Sequence, residues 1–149
     1  MEFEDQALIE SMVGDYAESL DERDFERWFK LFAAEGVYQV ILRSNHEREE
    51  PLFLIDEELV RLRRRIESYR GAVLPATLHF MGRIAVNAVV DARRAQARVP
   101  GLVLPRGEPV FAGRYFFDAA RSEAGKWLIG RVLVVLENEN IADEIQVPI

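Results

Sequence analysis

The sequence predicts one α+β domain over residues 1–149, a cone of about three N-terminal helices packed in a strongly curved, mostly antiparallel sheet. Two patterns and one residue predict it. Apolar side chains recur at helical spacing in the first half. They alternate at strand spacing after Pro75. Gly82 falls inside a strand-like run, where a bulge would bend the sheet around the helices and leave an apolar interior.

The first helix is read over residues 5–20, where Leu8, Met12, Tyr16 and Leu20 recur every four residues with Ile9, Val13 and Ala17 beside them. Asp21 and Asp24 interrupt that stripe and offer N-caps. A second helix carries Phe25, Trp28, Phe29 and Phe32, read as an aromatic core face rather than a ligand platform, and Gly36 is expected to end it. Residues 37–42 read as a strand and the charged residues 43–51 as a solvated loop. Asp56 is expected to cap a third helix, with Glu57 and Glu58 in its first turn and Leu59, Leu62, Ile66 and Tyr69 facing inward. Arg61, Arg63, Arg64, Arg65 and Arg70 crowd its later turns, where the helix dipole favours cations; they read as a solvated face or a partner contact.

In residues 77–90, Leu78, Phe80, Ile84, Val86, Ala88 and Val90 are expected on one apolar face, with Thr77, His79, Met81, Arg83 and Asn87 on the other. Residues 91–94 read as a turn into a strand at 95–99. Residues 100–109 hold three Pro and two Gly, so loops and at most an edge strand are expected there. Residues 110–118 and 127–136 form a hairpin through the turn at 122–125, and residues 141–149 are a tail that could add a last strand. No repeat, linker or low-complexity segment interrupts the chain.

Composition bounds the function. The chain is 49% apolar, too high for disorder, and has no Cys, so it can hold neither a disulfide nor a Cys-ligated cluster. Two His, His46 and His79, exclude a three-His zinc site, and His46 with the acidic stretch 47–50 lacks ligand spacing. The net charge of −7 argues against nucleic acid as the main partner. The acidic start at residues 1–5 is unlike a signal peptide, and no apolar run nears the roughly 18–20 residues of a spanning helix; a cytoplasmic protein with no membrane contact is expected.

Four segments carry a family resemblance. They are LDERDFERWFKLFAAEGVYQV at residues 20–40, DEELVRLRRRI at 56–66, PATLH at 75–79, and FAGRYFFDAARSEAGKWLIGRVLVVLENENI at 111–141. In this order they resemble the small (beta) subunit of aromatic ring-hydroxylating, Rieske-type dioxygenases, within the SnoaL-like, nuclear-transport-factor-like (cystatin-like) cone-fold superfamily. Leu78 stands where that family usually has Arg, and Arg83 where it usually has Asn. The resemblance implies a non-catalytic subunit with no cofactor of its own. It would assemble and stabilise a large (alpha) subunit holding a Rieske [2Fe-2S] cluster and a mononuclear iron. It also implies self-association, as a trimer within a mixed hexamer, and aromatic hydrocarbon catabolism by dihydroxylation on the large subunit.

An alternative stays open: a stand-alone dehydratase or cyclase of a small apolar substrate, using His79 with Asp21, Tyr16 or Tyr38. Residues 77–82 resemble the catalytic-His strand of scytalone dehydratase, and Asp21 matches that family's aspartate. Its tyrosines fall on Leu20 and Val40, and Gly101 stands in the stretch of its second His. Tyr16 sits where ketosteroid isomerase places its oxyanion tyrosine, but Val40 replaces the needed carboxylate base. A third option is a ligand-binding or purely oligomeric homologue. Arg114 and Arg131, set in apolar strands, are expected to be paired, with Asp118 and Glu137 as partners, or to lie at an interface or in solvent.

Overall fold

The computed structural model describes residues 2–69, 71, 76–89, 93–105, 110–139, 145 and 148–149. Its helices are α1 (Phe3–Asp21), α2 (Phe25–Phe29), α3 (Arg43–Glu47) and α4 (Leu59–Ser68). Its strands are β1 (Phe32–Leu42), β2 (Phe53–Glu58), β3 (Thr77–Met81), β4 (Ala85–Val89), β5 (Arg94–Pro105), β6 (Phe111–Arg121) and β7 (Trp127–Leu136). The seven strands form one open, curved sheet in the order β2-β1-β7-β6-β5-β3, with β4 also on β5. Only β1 and β7 run parallel among these pairs. The α+β class, the helical N-terminus and the curved sheet agree with the reading of the sequence.

α1 buries Ile9, Met12, Val13, Tyr16, Ala17 and Leu20, while Leu8 falls outside the stripe and is exposed. Asp24 caps α2 by accepting from the Arg27 N–H at 3.1 Å. Asp21 caps nothing; it is the last residue of α1 and turns toward β3. Phe25, Trp28, Phe29 and Phe32 do pack into the core.

Several boundaries differ from expectation. Gly36 does not end a helix: α2 stops at Phe29, and Gly36 lies within β1 at an irregularity where register against β7 shifts between Phe32 and Val37. A Cβ there would meet the Ala33 carbonyl and the Phe32 ring at 3.0 Å, a tight contact that favours glycine at this bulge. Residues 43–51 are not all loop, because α3 covers Ile41, Leu133 and Val135 on the outer side of the sheet. Asp56 is not a helix cap. It belongs to β2, paired with Gln39 of β1, and α4 starts only at Leu59 with Leu62 as its buried residue.

Pro100 and Gly101 do not end a strand either. β5 runs through both, between β6 on one side and β3 and β4 on the other. The Pro100 carbonyl accepts from the Gly82 N–H at 2.8 Å. That is where the neighbouring strand breaks into β3 and β4, so the N–H that Pro lacks is missing from a gap in the ladder.

The break at residues 82–84 also inverts the expected facing. Leu78 and Phe80 point outward, 52% and 54% exposed, while His79 is buried. Ile84 and Val86, beyond the break, pack on the core. The shift of one residue at the break moves the inward parity from 79 and 81 to 84 and 86. The Ala88 side chain, Val90, Arg70, Pro75, Asp91 and Ala92 of the expected turn, and most of the tail at 141–149 lie outside the described residues. The 122–125 turn is as expected, with Gly125 at φ +83°.

Tyr16 stands at the centre of the core. Its ring lies 5.7 Å from Trp28, 6.0 Å from Tyr115 and 5.2 Å from Phe117. Trp28 adds Phe32 at 4.6 Å and Tyr38 at 5.8 Å. Burying each such ring contributes about 1.5–3 kcal/mol, and the group joins α1, α2, β1 and β6 inside the sheet.

Candidate functional site

The structure pairs His79 with Asp21 at β3 and brings the hydroxyls of Tyr16 and Tyr38 together at Ile149. Asp21 reaches β3 from the end of α1. Its Oδ2 accepts the His79 backbone N–H at 2.9 Å, and its Oδ1 lies 2.5 Å from His79 Nδ1 and accepts from Thr77 Oγ1 at 3.2 Å. A carboxylate accepts, so Nδ1 carries the proton, and Nε2 of a neutral ring presents a lone pair. Nε2 is buried and has no partner among the described residues. Burial lowers the His79 pKa from its ordinary value, and the bond to Asp21 opposes that shift. The ring is therefore neutral at pH 7, a basic nitrogen held in one orientation.

The two tyrosines grip the main chain of the last residue. Tyr16 Oη donates to the Ile149 oxygen at 2.6 Å, and the Ile149 N–H donates to Tyr38 Oη at 2.8 Å. Burial pushes both phenols well above the ordinary tyrosine range, so neither supplies a phenolate at neutral pH. Val40, also buried, offers no proton acceptor beside them.

Tyr115 was not singled out from the sequence. Its hydroxyl is buried and unpartnered among the described residues. Its ring covers Gly101, where a Cβ would lie 3.1 Å from it. That ring fills the strand stretch in which a second His would be needed for dehydratase-like chemistry. The signal was present, since Gly113, Tyr115 and Phe117 share one strand face and Gly101 pairs with Gly113.

The arginines divide. Arg131 donates to Gln39 Oε1 at 2.6 Å and lies 3.9 Å from Asp118, as expected of a paired group on the outer face. Glu137 binds Arg43 at 2.9 Å instead of Arg114. On α4, Arg65 meets Glu57 at 2.5 Å, and Arg63 meets Glu26 while its guanidinium lies 4.2 Å over the Phe29 ring. Among the described residues no group of three or more His, Asp or Glu is placed to hold a metal ion, and no helix is long and apolar enough to cross a membrane.

Helices seated inside an open, curved sheet define a cystatin-like fold, and the His79–Asp21 pair sits at its β3 edge. The family model of the ring hydroxylating beta subunit matches residues 16–143, and the chain belongs to that family. No curated protein sequence matches it. Among solved structures, it is similar to the beta subunit of a provisionally assigned aromatic-ring-hydroxylating dioxygenase from Novosphingobium aromaticivorans. That likeness has 23% identity, 97% of this chain and 96% of that one covered, and a TM-score of 0.83. A chain of naphthalene 1,2-dioxygenase with indole in its active site follows at 19%, covering 97% and 84%, TM-score 0.75. A provisionally assigned scytalone dehydratase from the same Novosphingobium is 19% identical over 97% and 93%, TM-score 0.72. At such identities these three likenesses show the fold alone.

Proposed function

We propose that this chain is the small subunit of an aromatic-ring-hydroxylating dioxygenase and works without catalytic groups of its own. Its role is to assemble and stabilise a large subunit, which carries the Rieske [2Fe-2S] cluster and the mononuclear iron. It does so in the cytoplasm, as a trimer within a mixed hexamer. The observation that carries this reading is the family match across residues 16–143. The interior adds support: the hydroxyls of Tyr16 and Tyr38 are engaged by the chain's own Ile149, which makes them poor candidates for meeting a substrate.

The test is purification of the tagged chain from its native host. An iron-bearing oxygenase subunit, identified by the electron paramagnetic resonance of its reduced [2Fe-2S] cluster, is expected to co-purify in stoichiometric amount. Recovery of the chain alone, turning over a small organic molecule, would overturn the reading.

A second reading, a stand-alone dehydratase or cyclase using His79 with Asp21, rests on the oriented imidazole and its unpartnered Nε2. Replacing His79 with Ala separates the two. A folded H79A subunit should sustain its partner's turnover, whereas the enzyme reading requires a loss on the order of 10²–10⁴-fold at the chemical step.

A further inference from the structure

The outer face of the sheet is half finished. α3 covers it over β1 and β7. α3 reaches β6 through His46, whose ring lies 6.5 Å from that of Phe116, and over β3 and β5 no described element lies on the face. There Leu78 stands opposite Leu104 and Phe80 opposite Leu102, all four directed outward. Exposed apolar side chains in adjacent cross-strand pairs make a contiguous patch, which a water-facing sheet does not need.

Beside the patch lie three cations. Arg83, Arg98 and Arg114 line one cleft around Pro100. Pro100 and Arg114 also line the adjoining cleft with Phe80 and Leu102, so the apolar and cationic surfaces are continuous. None of the three guanidiniums has an ion pair or side-chain hydrogen bond among the described residues. The nearby carboxylate of Glu137 is held by Arg43. Arg98 faces Phe116 and Arg114 faces Pro100 across the same strand pair. They are diagonal neighbours, with about 7–8 Å between their strand positions. At that spacing salt screens like charges incompletely. The next row outward is different, because Gln96, Asp118, Arg131, Gln39 and Asp56 satisfy one another in a line. A cationic row without acidic partners among the described residues, on a chain of net charge −7, is thus a local arrangement and does not follow from composition.

We propose that this face docks an acidic surface of the large oxygenase subunit, one whose carboxylates meet Arg83, Arg98 and Arg114 while an apolar side chain seats against Phe80 and Leu102. The proposal rests on the small-subunit reading and adds the face and the chemistry of the contact. A second copy related by a two-fold axis through the face would set guanidinium against guanidinium, which electrostatic complementarity disfavours, and a head-to-tail contact between copies, as in a trimer, is separated by the self-association readout below. An acidic partner removes that repulsion and desolvates the patch in one step.

The experiment uses the two subunits expressed together, with the tag on the large one. Variants are R98E/R114E, the independent F80S, and K126E in the exposed β6–β7 turn as a control. All alter exposed side chains, and circular dichroism checks that each folds. The charge reversal is expected to weaken association at least about tenfold and F80S to weaken it measurably, with K126E unchanged. Added salt should weaken the wild-type complex more than the R98E/R114E one. If both face variants bind like wild type, the docking face is refuted and the small-subunit reading stands. If the variants lose self-association but keep the large subunit, the face joins copies of this chain and the proposal is refuted. If the wild-type chain itself does not associate with the large subunit, both fall.

Discussion

His79 shows how one buried side chain can set a pH dependence. Burial holds its pKa below 6.5 in the folded protein, against the favourable pull of Asp21. The unfolded chain therefore takes up the proton first as pH falls. Stability from this group is complete above about 6.5 and is lost as pH drops through that value toward the folded pKa. Urea midpoints at several pH values between 7.5 and 5.5 should fall for the wild type, and H79Q should flatten that limb whatever its absolute stability. A wild type and variant with parallel profiles would contradict the assignment. A second residue, Asp5, is almost fully buried and accepts from Trp127 Nε1 at 3.1 Å while lying 3.3 Å from Arg121. D5A leaves the indole N–H unpaired, so a loss of about 1–3 kcal/mol is expected by denaturant titration. The Asp21–His79 pairing was legible only through the resemblance of residues 77–82 and Asp21 to scytalone dehydratase, and the Asp5–Trp127 pairing was not legible at all. Asp21 and His79 are 58 positions apart and Asp5 and Trp127 are 122 apart, and the acidic residues resembled ordinary capping and surface groups.

At the scale of elements, legibility depended on whether a pattern was local. The stripe of α1 and the β6–β7 hairpin follow from spacing within one segment, and both are present. β2 was missed because Phe53, Ile55 and Glu57 alternate over only six residues, next to an acidic run that imitates a helix start. β5 was read only over 95–99, and its continuation to Pro105 was missed because Pro100 signals a loop unless the gap opposite it is known. The two-residue phase of β3 was visible, but the direction of its faces was not, since only the break after Met81 decides which parity looks inward. Glycines give a paired test. In β6, a Cβ on Gly113 would lie 2.5 Å from the Val135 carbonyl of β7, a backbone atom that cannot move aside cheaply. G113A should cost about 1–3 kcal/mol or more. In α1, Gly14 is exposed with no atom within 4 Å of its would-be Cβ. G14A should stabilise by about 0.5–1 kcal/mol, because alanine favours the helix. Thermal melts of the two variants should shift in opposite directions.

The whole molecule is closed by contacts that are distant in sequence. β1 pairs in parallel with β7, Tyr16 of α1 holds Ile149, and Asp5 holds Trp127. No subset of elements can bury the central aromatic group alone, because its members come from α1, α2, β1 and β6. Such a chain should unfold as one cooperative unit, and its non-local strand pairing should make folding slow, in the millisecond-to-second range. The two tryptophans allow a direct check. Trp28 lies at the centre of the core, while Trp127 lies at the start of β7 against the first turn of α1. Single-tryptophan proteins, W28F reporting from Trp127 and W127F reporting from Trp28, will differ in midpoint because each substitution removes different contacts. Within each protein, however, fluorescence and far-ultraviolet circular dichroism should give coincident transitions. A Trp127 signal lost well before the secondary structure would mean that the N-terminal end of α1 separates independently and that the core is not one unit. A partner docked on the outer sheet face stabilises the whole chain only if that unity holds, since binding to the folded state then raises the single unfolding midpoint for both reporters together.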